Sequence, residues 1–300
     1  CREAWAMPSV KANNITIEYE EYGDRHNPAM VMIMGLGSQL VIWPEEFIRG
    51  LTERGFRVIC FDNRDVGLST KVEGAKKPNI ARIFLLTKLG IKPRVPYTLE
   101  DMALDTVGLM EALGIESAHI VGISMGGMIA QILGAKHKQR VKSLTLMATS
   151  SGNPRMPAPR RDVLQKFMRV PQSMDKEEWF KYNLELFIAI GSPGLDREKL
   201  AADVRKSIER SLYPEGTTRQ LAAILQNGSR VKLLRQIELP ALVISGAEDP
   251  LLPYQCGRDI AAHVPGARFE LIEGMGHDIP EPHIPRLVEL IAGHAAAAEA

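Results

Sequence analysis

The chain has 300 residues, 45% hydrophobic and 24% charged, with a formal net charge of +1; that suits one globular core carrying an insertion and gives no electrostatic basis for binding nucleic acid. Three cysteines, Cys1, Cys60 and Cys256, are too few and too scattered for a disulfide framework or a cysteine-rich metal site. No apolar run reaches the roughly 18 residues of a membrane span and no signal-peptide pattern is visible, so a cytoplasmic protein acting on a small molecule is expected.

Residues 1–6 precede a start at Met7 and read as a remnant foreign to the fold, with a lipid-modified Cys1 as the alternative. Residues 15–22 alternate apolar and polar side chains, the pattern of a half-buried strand at an edge or in a hairpin, and Gly23-Asp24 ends it. Residues 29–34, 58–61, 120–121, 144–147 and 241–244 are instead continuous apolar runs, as central parallel strands covered on both faces require. Helical patterns lie between them; in residues 99–113, Met102, Ala103, Thr106, Leu109, Met110 and Leu113 recur at three- and four-residue spacing. Alternating strand and helix predicts an α/β fold with a mostly parallel central sheet and helices on both faces, whose strand carboxyl ends gather catalytic groups. Over residues 151–235 the alternation breaks, with helical stretches at 176–190 and 197–212 and no convincing strand. This segment is expected to be a helical cap inserted between a first core part, residues 7–150, and a second, residues 236–300.

The run Gly122-Ile123-Ser124-Met125-Gly126 sits between an apolar strand pattern and a helix pattern. A serine nucleophile on a sharp strand-to-helix turn needs small neighbours two residues to either side, and the helix start then aims the Met125 N–H at a developing oxyanion. Such a pentapeptide is common by chance, so its meaning depends on an acid and a histidine following at other strand ends. Asp249, in Gly246-Ala247-Glu248-Asp249-Pro250, is the candidate acid; Glu248 is the competitor, and is expected to point to solvent. His277, in Glu273-Gly274-Met275-Gly276-His277 after an alternating last strand at 268–272, is the candidate general base. The other histidines lie in loop or helix surroundings, apart from His119, which falls at the start of the serine strand, away from Ser124. Gly35-Leu36-Gly37-Ser38 follows the strand at 29–34, and the Leu36 N–H is the candidate second oxyanion donor. Within residues 62–69, Arg64 is expected to hold neighbouring loops.

With these residues in place the chain resembles the α/β-hydrolase superfamily over nearly all of residues 29–291. Met34-Gly35-Leu36-Gly37 followed by Trp43-Pro44, then Asn63 to Ser69, is most similar to the branch containing aclacinomycin methylesterase and related bacterial carboxylesterases. The resemblance implies ester hydrolysis by Ser124, Asp249 and His277 through an acyl-enzyme, with no metal and no organic cofactor. Some members place the acid at the end of the preceding strand, but residues 148–153 contain no carboxylate. Met34 stands where many members have histidine, and Asp65 where many have glycine.

Trp179, Phe180 and Phe187 in the cap, with Leu251 after the acid turn, are candidates for an apolar substrate pocket, core packing being the alternative. The segment 74–97 adds Ile80, Ile83, Phe84, Leu85, Leu86, Leu89 and Ile91 among six basic and no acidic residues. A lid over the pocket is its expected role, ahead of plain packing, with membrane contact last. The expected partner is a small-molecule ester. A carbon–carbon bond hydrolase or cofactor-free perhydrolase would use the same triad, and a non-catalytic small-ligand receptor is the reading from another class.

Overall fold

A computed structural model describes residues 8–299, so residues 1–6, read from the sequence as a foreign remnant, lie outside it. Eight strands form one sheet in the order β1-β2-β4-β3-β5-β6-β7-β8. Here β1 is Ser9–Ala12, β2 Ile15–Tyr22, β3 Ala29–Ile33, β4 Arg57–Phe61, β5 Ala118–Ile123, β6 Val141–Met147, β7 Ala241–Gly246 and β8 Arg268–Ile272. Strands β3 to β8 pair in parallel, while β2 runs antiparallel to both β1 and β4. The alternating segment is therefore the inner arm of a hairpin. The edge strand β1 is too short to announce itself by periodicity.

The continuous apolar runs follow from burial on both faces. Along β3, Met30 and Met32 enter a cluster with Phe47, Leu51, Leu287 and Ile291, while Val31 and Ile33 enter another with Met102, Leu109, Ile129 and Leu133. Two-residue alternation thus sends successive side chains into different cores. Helices α1 (Glu45–Glu53) and α11 (Ile284–Ala297) supply the first cluster; α3 (Leu99–Ala112) and α4 (Met125–Lys136) supply the second, α2 (Ile80–Lys88) lying between α1 and α3 in sequence. Helix α3 starts at a capping box, in which Thr98 Oγ1 accepts the Asp101 N–H and Asp101 Oδ2 accepts the Thr98 N–H.

Between β6 and β7 the chain forms α5 (Arg161–Met168), α6 (Lys176–Ile190), α7 (Arg197–Arg210), α8 (Pro214–Asn227) and α9 (Val231–Leu234), and contributes no strand. Helix α10 (Gln255–His263) follows β7. The α5–α9 segment is fastened to the sheet by buried charge. Arg219 of α8 meets both oxygens of Asp65 at 2.8 and 3.0 Å, and Arg210 of α7 meets Asp62 at 2.7 Å. Asp65 has φ +70°, the left-handed region that glycine tolerates best. A carboxylate occupies this position because it is Arg219's partner. Burial raises the Asp65 pKa, but the bonds from Arg219 and from the Val72 N–H outweigh burial and hold it below the usual carboxylate range. Arg64 clamps Asp105 of α3 through two nitrogens, at 2.6 and 2.5 Å, so it holds its loop to a helix where the sequence suggested neighbouring loops. Among the described residues no helix is long and apolar enough to cross a membrane.

Candidate active site

Ser124 occupies the junction between β5 and α4 with φ +55° and ψ −118°, a strained conformation for a residue with a side chain. The flanking glycines explain how the junction closes. A Cβ on Gly126 would sit 1.9 Å from the Ile33 carbonyl oxygen, and one on Gly122 would sit 2.3 Å from the Gly126 oxygen. Only hydrogen fits at either position. The Ser124 N–H donates to Met147 O and its carbonyl accepts from Thr149 Oγ1, at 2.9 and 2.7 Å, so the backbone is pinned from β6. Its Oγ makes no hydrogen bond among the described residues and stands at the amino end of α4, where the helix field favours negative charge.

Asp249 and His277 follow β7 and β8 at the same carboxyl-terminal edge of the parallel strands. Asp249 Oδ2 lies 2.7 Å from His277 Nδ1. Because a carboxylate accepts, the neutral imidazole makes this contact through Nδ1–H and carries its lone pair on Nε2, which bonds to nothing among the described residues. The other oxygen, Oδ1, accepts the N–H groups of Leu251 and Leu252, both at 2.8 Å. Leu251 is thus part of the turn that orients the acid. Glu248 is exposed, as its place in the turn predicted.

The Gly35–Gly37 loop packs directly on the serine: a Cβ on Gly35 would lie 3.2 Å from Ser124 Cβ. Gln220 of α8 accepts the Gly37 N–H through Oε1 and donates through Nε2 to Arg64 O, both at 2.8 Å, and Asn63 donates to Met34 O at 3.1 Å. The loop is therefore held from both sides, yet the N–H groups of Leu36 and Met125 donate to nothing among the described residues. Two backbone donors therefore stand beside the serine without an acceptor among the described residues. The buried cysteines offer no rival nucleophile. Burial pushes the Cys60 thiol well above its usual range and the Cys256 thiol up to about 11.

The aromatic candidates for a substrate pocket are placed elsewhere. Trp179 is buried with Val204 and Ile208 between α6 and α7, its indole N–H donating to Ser173 O at 2.9 Å. Phe180 packs on the same cluster under the Arg205 guanidinium, 3.9 Å from its ring centroid. Trp179 is thus buried within the helical segment and Phe180 is partly buried against it, the packing role that stood as the alternative to a pocket. Phe187 also packs against that cluster, but it lies one turn before Ile190, whose carbonyl accepts the His277 N–H at 2.8 Å. A cleft of about 290 Å³ lined by Lys166, Arg169 and Tyr182 contains none of the groups around Ser124.

Sequence reasoning missed the residues that hold the histidine loop. Ser192, just past α6, accepts the Gly276 N–H through Oγ at 2.8 Å and donates the same hydroxyl to Asp278 Oδ1 at 2.5 Å. Asp278 Oδ2 is buried without a partner among the described residues, and burial raises its pKa against the lowering effect of the Ser192 bonds. The one available signal was a carboxylate immediately following the candidate base.

A family model for the alpha/beta hydrolase fold matches residues 28–177. Rhodomycin D methylesterase DauP of Streptomyces sp. (strain C5) is 27% identical over 320 residues, covering 97% of this chain and 99% of that protein. The enol-lactonase from Burkholderia xenovorans LB400 superposes with a TM-score of 0.72 at 24% identity, over 97% of this chain and 99% of its own. The meta-cleavage product hydrolase from Pseudomonas fluorescens IP01 does so with a TM-score of 0.75 at 20% identity, over 97% and 98%.

Proposed function

This chain belongs to the α/β-hydrolase family, and we propose that it is a serine esterase that cleaves carboxylic esters with Ser124 as nucleophile, His277 as general base and Asp249 as orienting acid. The observation that carries the proposal is the 2.7 Å contact of Asp249 with His277 Nδ1, because it leaves Nε2 free to take a proton. His277 Nε2 removes the proton of Ser124 Oγ as the oxygen attacks the ester carbonyl. The carbonyl oxygen becomes anionic and is met by the N–H groups of Leu36 and Met125; two such donors matter, since losing one costs about 3 kcal/mol of barrier lowering in comparable sites. The tetrahedral species collapses, the carbon–oxygen bond to the alcohol breaks, and His277 returns its proton to the departing oxygen. Water, deprotonated by the same nitrogen, then attacks the acyl-enzyme, the acyl carbon–Oγ bond breaks, and His277 returns the proton to Ser124 Oγ as the acid leaves. The helical segment of residues 151–235, α5 to α9, serves as the cap.

The methylesterase name of the relative makes a methyl ester the first substrate to try. An organophosphonate probe followed by mass spectrometry tests the nucleophile independently of substrate: a single adduct on Ser124, absent from Ser124→Ala, is expected. No adduct, or equal ester hydrolysis by wild type and Ser124→Ala, would overturn the reading and favour a non-catalytic receptor.

A further inference from the structure

Residues 74–97 hold six cations, Lys76, Lys77, Arg82, Lys88, Lys92 and Arg94, and no carboxylate, in a chain whose net charge is only +1. All six are exposed, and none forms an ion pair among the described residues. Some surface cations outside this segment do find carboxylates, as in Lys136–Glu100, Lys199–Glu281 and Arg205–Glu177. The same segment exposes its apolar side chains. Helix α2, capped by the Asn79 side chain, buries Ile83 and packs on α8, while Phe84, Leu85 and Leu89 are 48%, 59% and 65% exposed and Ile91 beyond it 51%. The Lys88 ammonium lies 4.6 Å from the Phe84 ring centroid, so cation and apolar group share one surface.

We infer that α2 and the turn after it dock on an anionic lipid bilayer, with the apolar side chains entering the headgroup region and the cations meeting lipid phosphates. A folded acidic partner would satisfy the cations but would need separate recesses for four protruding apolar groups; a bilayer accepts both at once. The sequence ranked membrane contact behind a lid and behind packing. Exposure of both residue classes on one element reverses that order.

Flotation of the full chain with vesicles tests this without reference to enzymatic activity. The chain is expected to float with phosphatidylcholine vesicles containing phosphatidylglycerol at low ionic strength, to sediment with phosphatidylcholine alone, and to be released as salt rises. One cation near an anionic surface changes partitioning roughly fivefold, so Lys88→Glu with Lys92→Glu and Arg94→Glu lowers it by more than about 100-fold. Leu85→Ser with Leu89→Ser weakens binding and leaves a salt-sensitive remainder. All five positions are exposed, so both variants should melt like the wild type. Absence of flotation with anionic vesicles at low salt, or flotation unchanged by the triple charge reversal, would overturn the inference.

Discussion

Asp249 meets His277 with one oxygen while its other oxygen is saturated by the backbone of its own turn: Oδ2 lies 2.7 Å from Nδ1, and Oδ1 accepts from Leu251 and Leu252. The turn therefore fixes the acid independently of the histidine. In Asp249→Asn the amide oxygen can still satisfy the turn, but the amide NH₂ faces Nδ1 and forces the proton onto Nε2. A fall in kcat of about 10⁴-fold is expected, with little change in melting temperature. Initial rates on a nitrophenyl ester measure it, and a wild-type rate would remove Asp249 from the proposed triad.

The serine turn makes a steric prediction that needs no substrate. In Gly126→Ala the new methyl, fixed at Cβ, would meet the Ile33 backbone oxygen at 1.9 Å, so a loss of more than about 3 kcal/mol or insoluble protein is expected. Gly293, exposed within α11, has nothing within 4 Å of its added Cβ. Gly293→Ala should stabilise by about 1 kcal/mol through helix propensity alone. Urea midpoints of the two variants should move in opposite directions.

Arg219 and Asp65 form an ion pair, 2% and 0% exposed, that ties α8 to the loop after β4. Arg219→Ala leaves a buried carboxylate without its cation and should cost about 3–5 kcal/mol. The double variant Asp65→Gly with Arg219→Met should recover most of this, since glycine suits φ +70° and methionine fills the space apolarly. Asp65 is depressed in the folded state, so the pair's contribution is present above the unfolded carboxylate range near about 3.9 and is lost as pH falls through the lower folded value. Denaturation of the three proteins at neutral and acid pH checks both claims.

His294, buried on α11, has its pKa lowered chiefly by burial and also by Arg268, against hydrogen bonds to the Leu144 and Pro240 carbonyls that raise it. The unfolded chain therefore binds this proton at a higher pH than the folded one. Below about 6.5 the unfolded state gains the proton first, and stability falls toward the lower folded value by at most about 1.4 kcal/mol per pH unit. His294→Gln removes the titration, so its stability should decline less than that of the wild type between neutral and mildly acid pH. Parallel curves would contradict the assignment.

The central strands were legible because burial on both faces leaves an uninterrupted apolar run, and the positions of Ser124, Asp249 and His277 after strands could be read from glycines bunched where such runs end. What could not be read depends on contacts between segments far apart in the chain. Gln220 carries no local signal, yet it holds the Gly35–Gly37 loop from 183 residues away. Whether Trp179 and Phe180 pack or line a pocket was open in the sequence because composition does not say which neighbour an aromatic ring meets; α7 supplies a neighbour for both. Asp65 looked like a departure from the family's glycine until Arg219 gave it a partner.

Ser192 is the link between α6 and the candidate base, and it brackets His277 by bonding to the residues on either side, Gly276 and Asp278. Removing its hydroxyl leaves the Ser192 N–H on Asp278 at 3.0 Å and the His277 N–H on Ile190 O, so the loop should stay attached but lose its lateral constraint. Misplacement of a catalytic group by a fraction of an ångström is felt in the chemical step more than in ground-state binding, and about a 10- to 100-fold fall in kcat with KM nearly unchanged is expected for Ser192→Ala. Ser192→Thr keeps the hydroxyl and should restore most of the rate. A loss shared equally by Thr and Ala, or confined to KM, would mean that Ser192 matters for packing and not for holding the imidazole in line with Ser124.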